Sequence, residues 1–231
     1  VLDVDGVDIV SASDPSVNAN IGGVLAGFTA DIEFDVVDTA NAVAAEVAGS
    51  GFGPGGLDEA NGVVISGGDV DTAEAAAIQS ISGYEGSASD YDITDNAAAL
   101  ISAGDDVLND AGVSYVEVDG FGYDGYSVTV GDAIELSALT ADVFFDVEDD
   151  ANAIAEEVAN SGYGDGTIDE ADFVIVDGGD VSAAEADAIQ QLSGYQSDLS
   201  IYDISDTASA LISAGDEVLN DAGVDIVTVN D

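Results

Sequence analysis

Pairs of aspartates three residues apart recur four times, and such carboxylates can bind cations, cap helices or exchange protons. The pairs are Asp35 and Asp38, Asp92 and Asp95, Asp146 and Asp149, and Asp203 and Asp206. Carboxylate oxygens are ligands that Ca²⁺ prefers, and an aspartate in front of a helix accepts its free N–H groups. These pairs therefore predict either helix caps, formed by the second aspartate, or a row of divalent-cation sites.

A second candidate calcium site lies in the acidic stretch 164–172, which resembles half of an EF-hand loop. Its carboxylates are Asp165, Asp169, Glu170 and Asp172. If Gly166 is the turn glycine, Asp165 and Asp172 fall on the fifth and last ligand positions of the loop. The first and third positions would be Ser161 and Tyr163, which are poor ligands. The pattern is typical of either a calcium site or a solvated turn.

Catalysis would have to be built from Asp, Glu, Ser, Thr and Tyr, because the chain has no Lys, Arg, His or Cys. A carboxylate pair could serve a glycosidase. The acidic residues, however, follow a repeat, whereas a catalytic site is expected once, as an exception to the period. We predict that the protein is not an enzyme. Four tyrosines that repeat in register are predicted to pack in the core or at an interface, or to stack or crosslink: Tyr84, Tyr91, Tyr195 and Tyr202.

The composition excludes several partners and indicates an environment. The 231 residues include 49 Asp and Glu and no basic residue, for a net charge of −49, yet 47% are hydrophobic. Nucleic-acid binding is excluded because nothing neutralises phosphate, and no apolar run is long enough to insert into a membrane. Like charges on a compact body repel one another, so salt or divalent cations must offset them. We expect a salty, extracellular or cell-surface location.

The carboxylate pairs belong to a tandem repeat. Residues 30–120 align without a gap to 141–231, with about 60% identity. This predicts two units, 1–114 and 115–231. Strands are predicted at Leu2–Asp5, Phe34–Val37, Val63–Ile65, Tyr91–Thr94, Tyr115–Val118, Phe145–Val147, Val174–Val176, Tyr202–Ser205 and Ile226–Val229.

Alanine-rich helices are predicted between these strands. Ala40, Val43, Ala44 and Val47 recur at the spacing of one buried helix face. Gly67-Gly68-Asp69, with its copy at 178–180, is predicted to open the third type of repeat unit, with a helix after it. Residues 120–132 are predicted to be the inter-unit loop. Strand–helix–strand units without hairpins imply parallel strands. The predicted fold is α/β, a solenoid of strand–helix repeats, with two compact α/β domains as the alternative.

The carboxylate pairs also carry a family resemblance. The motifs at 91–100 (YDITDNAAAL) and 202–208 (YDISDTA), with the helix at 73–81, resemble tandem repeat units of giant secreted bacterial surface proteins, called beta-strand-repeat or hemolysin-type calcium-binding surface proteins. The resemblance implies secretion, a surface or adhesive structural role, and calcium. The glycine-rich nonapeptide of the calcium β-roll is absent.

Both ends of the sequence read as strands without caps, which predicts a fragment of a longer array or head-to-tail assembly. The main hypothesis is an extracellular structural protein that self-assembles into a fibre, sheath or surface layer, stabilised by Ca²⁺ or another divalent cation. A second is a spacer or adhesin module that binds a surface, a mineral or ice. A third is an ordinary domain adapted to brine.

Overall fold

A computed structural model describes residues 10–28, 32–49, 56–119, 127–161 and 167–230. The chain divides into two compact units. One ends at Glu117 and also includes Thr140–Asp142, and the other begins at Val118 without those three residues. The division lies close to the predicted boundary between residues 114 and 115.

The strands of the described residues alternate with helices. The strands are β1 (Val10–Val17), β2 (Ile32–Asp38), β3 (Gly62–Val70), β4 (Asp90–Asp95), β5 (Val113–Val118), β6 (Val143–Phe144), β7 (Val147–Asp149), β8 (Val174–Val181), β9 (Ile201–Asp206) and β10 (Val224–Val229).

The helices follow the strands along the chain. They are α1 (Ala19–Ala26), α2 (Ala40–Gly49), α3 (Thr72–Gln79), α4 (Ala97–Ala103), α5 (Asp105–Leu108), α6 (Val130–Ser137), α7 (Ala151–Ser161), α8 (Ala183–Gln190) and α9 (Ala208–Leu219), with short 3-10 helices at Gly86–Ala88 and Thr167–Glu170. The predicted α/β class is confirmed.

Strand order in each unit follows chain order. The first unit has the order β1-β2-β3-β4-β5, and the second has β7-β8-β9-β10. The registered pairs β1–β2, β2–β3 and β3–β4 are parallel, as are β7–β8, β8–β9 and β9–β10. Within each unit, helices that are neighbours in sequence contact one another. They therefore lie together on one face of the sheet, as expected when every crossover has the same hand.

Alternation along the strands separates a helix-covered face from an open face. In β2, Ile32, Phe34 and Val36 are buried, whereas Glu33 and Val37 are exposed. A β-carbon added to Gly22 of α1 would meet Val36, Leu57 and Phe34, so α1 packs closely on the buried face. The open face of the sheet carries acidic side chains in both units.

The double glycines lie near the ends of strands β3 and β8, and the predicted helices follow them as α3 and α8. Gly67 and Gly68 have φ of 95° and 105°, and the β3–β4 register shifts between Ser66 and Asp69. Positive φ is inexpensive only for glycine, and the extra residues form a bulge. Gly178 and Gly179 have φ of 87° and 96° in the same place of β8. The helix that follows begins at a capping box formed by Asp71 and Glu74.

Several expectations are corrected. Residues 10–17 form a strand, and 19–26 a helix, where the sequence pattern gave no element. Residues 130–137 form helix α6, with Thr129 as its N-cap, so the predicted inter-unit loop at 120–132 ends earlier. Tyr115–Val118 lies in β5, beside β4, and so Tyr115 belongs to the first unit. The predicted strand Leu2–Asp5 lies outside the described residues.

Candidate functional site

The second aspartate of each pair joins the N-termini of two neighbouring helices. One carboxylate oxygen accepts the N–H of the first residue of the preceding helix, and the other accepts the N–H of the residue that follows the aspartate. Distances to these two amide nitrogens are 3.0 and 2.8 Å for Asp38, 3.1 and 2.8 Å for Asp95, 3.0 and 2.8 Å for Asp149, and 3.2 and 2.7 Å for Asp206. We call these four residues the bridging aspartates.

The bridging aspartates are therefore not the N-caps of the helices that follow them, and that prediction is wrong by one residue. The N-cap of α4 is Asn96, whose side chain accepts the Ala99 N–H at 3.1 Å. The N-cap of α9 is Thr207. Each bridging aspartate contacts amides at the positive ends of two helix dipoles. In a chain without basic side chains, backbone N–H groups provide the positive partners for its carboxylates.

Asp95 makes the most hydrogen bonds of the four. Besides the two amides, it accepts the Thr72 hydroxyl at 2.7 Å and the Asn96 side-chain amide at 2.9 Å. Partial burial raises the pKa of Asp95, but hydrogen bonds from Thr72 and Asn96 outweigh burial and hold that pKa below its usual value. The site thus favours the ionised carboxylate.

The first aspartate of each pair lies within a strand or just before one. Asp146 is 6% exposed and accepts the Phe173 N–H at 3.1 Å. Asp203 accepts the Ile226 N–H at 3.1 Å. Burial, together with the negative charges of Asp90 and Asp69, raises the pKa of Asp92 above its usual value. The remaining first aspartate, Asp35, is half-buried.

The carboxylates do not form a recognisable metal centre in the described part of the chain. Among those residues, no group of three or more acidic side chains is arranged to hold a metal ion. Four acidic residues and Ser127 do line one shallow depression in the second unit: Glu148, Asp149, Asp150 and Asp177. The oxygen ligands of that depression suit a hard cation, but these side chains are not arranged around one point. Calcium binding by the aspartate pairs stays a prediction.

The loop that resembles half of an EF-hand is only partly described. Asp165 lies outside the described residues. Asp169 and Glu170 end a 3-10 helix, Asp172 is exposed, and the Ser161 hydroxyl donates to the Glu157 carbonyl at 2.8 Å. In the first unit, Asp58, the counterpart of Asp169, accepts the Ser82 N–H at 2.8 Å. Calcium binding by Asp165, Asp169, Glu170 and Asp172 stays a prediction.

The in-register tyrosines form buried polar networks. Gln79 donates to the hydroxyl of Tyr91 at 2.8 Å and to the Val107 carbonyl at 2.9 Å. Tyr84 donates to Asp110 at 2.5 Å. Burial and hydrogen bonds with Asp110 and Tyr91 raise the pKa of Tyr84 far above its usual value.

The second unit repeats this network atom for atom. Gln190 donates to Tyr202 at 2.8 Å and Tyr195 donates to Asp221 at 2.6 Å. Burial and hydrogen bonds with Asp221 and Tyr202 raise the pKa of Tyr195 in the same way. The prediction that these tyrosines pack in the core is confirmed for Tyr91 and Tyr202, which are 1% exposed. The partners Gln79 and Asp110 were missed, although both recur 111 residues later as Gln190 and Asp221.

Comparison of this chain with protein-family models, with curated proteins and with solved structures gives no match. The resemblance to repeat units of giant bacterial surface proteins therefore stays a prediction. Within the described residues, each helix is too short or too polar to cross a membrane.

Proposed function

We propose that this chain is an extracellular structural repeat protein that assembles head to tail into a fibre, sheath or surface layer. The observation that carries this proposal is that the tyrosine hydrogen-bond network has the same partners in both units. The Gln79–Tyr91 and Gln190–Tyr202 hydrogen bonds are both 2.8 Å long. Residues that make specialised contacts thus follow the period, which favours an architectural role over a single reactive site.

Divalent cations, Ca²⁺ above all, are the proposed stabilising partners. The raised pKa of Asp92 supports this in part, because its causes are burial first and then the negative charges of Asp90 and Asp69. Copies that carry a charge of −49 each repel one another. Salt weakens that repulsion beyond a Debye length of about 8 Å at physiological ionic strength. Cations bound between carboxylates act at shorter range.

Light scattering tests the proposal directly. The particle mass is measured at fixed ionic strength with Ca²⁺ present, then after chelation, with Mg²⁺ as a matched divalent control. We expect long assemblies with Ca²⁺ that shorten on chelation. Assemblies that keep their size after chelation would support the structural role but contradict a role for Ca²⁺ in assembly. A folded monomer in every condition would overturn self-assembly and favour the alternative, a spacer or adhesin module of a larger surface protein.

A further inference from the structure

The turn in front of strand β3 ends in a chemically labile pair of residues, Asn61 and Gly62. This pair is the only asparagine–glycine step in the chain. Asn61 is exposed and lies in the bend just before β3, and Gly62 is the first residue of that strand. Because glycine has no β-carbon, no side chain on residue 62 shields its amide nitrogen from the neighbouring asparagine.

The glycine at position 62 leaves room for two carboxylates. A β-carbon added to Gly62 would lie 2.7 Å from a carboxylate oxygen of Glu85 and 3.5 Å from one of Asp35. In the second unit, the counterpart of Gly62 is Phe173, and the counterpart of Glu85 is Gln196. Only the first unit therefore places a glycine after this position of the turn.

The second unit shows which product the fold can accept at this position. The counterpart of Asn61 is Asp172, which is also exposed. The Asn61 N–H donates to the Phe34 carbonyl at 2.9 Å, and the Asp172 N–H donates to the Phe145 carbonyl at 3.1 Å. An aspartate in this position therefore keeps the same backbone hydrogen bond as an asparagine.

We propose that Asn61 is a site of spontaneous deamidation in the folded protein and that the fold accepts the resulting aspartate. The Gly62 amide nitrogen attacks the side-chain carbonyl carbon of Asn61, and the new C–N bond closes a succinimide ring. The C–N bond of the side-chain amide breaks, and its nitrogen leaves as ammonia with the proton of the Gly62 amide. Water then opens the ring at either carbonyl and gives aspartate or isoaspartate.

The two products differ in their effect on strand β3. Aspartate adds one negative charge and leaves the length of the backbone unchanged. Isoaspartate adds a methylene group to the backbone between two hydrogen bonds that fix its path. These bonds join the Asn61 N–H to the Phe34 carbonyl and the Val63 N–H to the Gly83 carbonyl, the latter at 2.8 Å. Isoaspartate is therefore expected to loosen the start of β3, whereas aspartate is not.

Peptide mapping after incubation of the folded chain at mildly alkaline pH measures the reaction. The chain has no Lys or Arg, so a protease that cleaves after acidic residues is used, and it releases residues 60–69 as one peptide. Deamidation replaces the side-chain amide of Asn61 by a carboxylate and changes the mass of this peptide. Digestion in water labelled with heavy oxygen marks any deamidation that takes place during the digest itself.

The matched control is Asp172→Asn, which puts an asparagine in the same backbone position in front of Phe173. We expect Asn61 to react at least about tenfold faster than this introduced asparagine, because Phe173 carries a β-carbon and Gly62 does not. Equal rates at the two positions would overturn the proposed site.

Incubation in urea gives the rate for the unfolded chain. A reaction that passes only through unfolded molecules would be slower in the folded protein by a factor of about 10³ or more. Slowing of that size would overturn a site in the folded protein, and a smaller difference would support it.

The Asn61→Asp variant tests whether the fold accepts the product. It is expected to unfold at the same urea concentration as the wild type, because Asp172 makes the equivalent backbone contact in the second unit. A lower unfolding midpoint would overturn this part of the proposal. The inference is independent of the proposed self-assembly.

Discussion

Replacement of Asp95 by alanine is expected to destabilise the first unit by about 3 kcal/mol. Asp95 accepts hydrogen bonds from the amides of Thr72 and Asn96 and from both of their side chains. Thr72 is 9% exposed, so its N–H loses its acceptor in a nearly buried position. Leaving a buried donor unpaired costs about 1–3 kcal/mol, and hydrogen bonds to a charged group contribute about 1.5–3 kcal/mol each without being additive. Asp95 is partly exposed, which reduces the total.

The second unit supplies an internal comparison. Asp206 accepts hydrogen bonds from the amides of Ala183 and Thr207. Ala183 has no hydroxyl group, so Asp206 lacks the hydrogen bond that the Thr72 hydroxyl donates to Asp95. Asp206→Ala is therefore expected to cost about 1.5 kcal/mol, at the low end of the range of about 1.5–3 kcal/mol for hydrogen bonds to a charged group. Glu59→Ala is the control for charge alone, because Glu59 is exposed. Removing its charge is expected to change stability by less than about 0.5 kcal/mol.

The assay is urea unfolding at pH 7 and fixed ionic strength, since guanidinium would itself screen the charges. The pKa of Asp95 is lowered in the folded state. The stabilisation by Asp95 is therefore fully present above the pKa of about 3.9 that aspartate has in the unfolded chain. It is lost as the pH falls through the lower pKa of the folded state. Asp95→Ala and wild type should converge in acid. The reasoning is refuted if Asp95→Ala costs no more than Glu59→Ala at pH 7, or if Asp206→Ala costs more than Asp95→Ala.

Three further predictions concern other contacts. A β-carbon at Gly112 would overlap the Tyr84 hydroxyl, so Gly112→Ala should lower the free energy of unfolding by about 1–3 kcal/mol. Adding Tyr84→Phe to this variant should restore part of the lost stability. If it restores none, the clash is with another group. The pKa of Tyr84 and that of Tyr195 are raised in the folded protein, so the stabilisation by these residues is fully present below the pKa of about 10 that tyrosine has in the unfolded chain and is lost as the pH rises above it. Ultraviolet titration should therefore show both tyrosines ionising only when the protein unfolds in alkali. Reversible ionisation of all tyrosines before unfolding would contradict this. Removing the neighbouring charge by Asp90→Asn should lower the pKa of Asp92, as measured by NMR titration, and an unchanged value would leave burial and the charge of Asp69 as its causes.

Strand positions could be predicted well because the buried strands carry a strong local signal. Tyr91 and Ile93 alternate with polar residues, and both are buried in β4. β1 could not be predicted from its composition because Pro15 and several polar residues interrupt it. It is the first strand of its sheet, where proline is tolerated, and its register shifts between Ser11 and Ser16.

The candidate site could be predicted only in outline. The recurrence of Asp38 before an alanine-rich run correctly indicated a carboxylate near helix amides. Its second partner, the Ala19 N–H, lies 19 residues earlier in the chain, and no local pattern connects the two. The same limit applies to Tyr84 and Asp110, which lie 26 residues apart. Such contacts depend on which strands become neighbours, which local spacing does not encode.

Strand order that follows chain order also determines how each unit responds to mechanical force. When the first and last strands of a unit are pulled apart, the load acts across the hydrogen-bond ladders between neighbouring strands. The ladders then open one after another, because no later strand inserts between two earlier ones. Each strand–helix step that detaches releases slack before the next one is loaded. A protein of this kind would extend in small steps under load and dissipate mechanical work at each step.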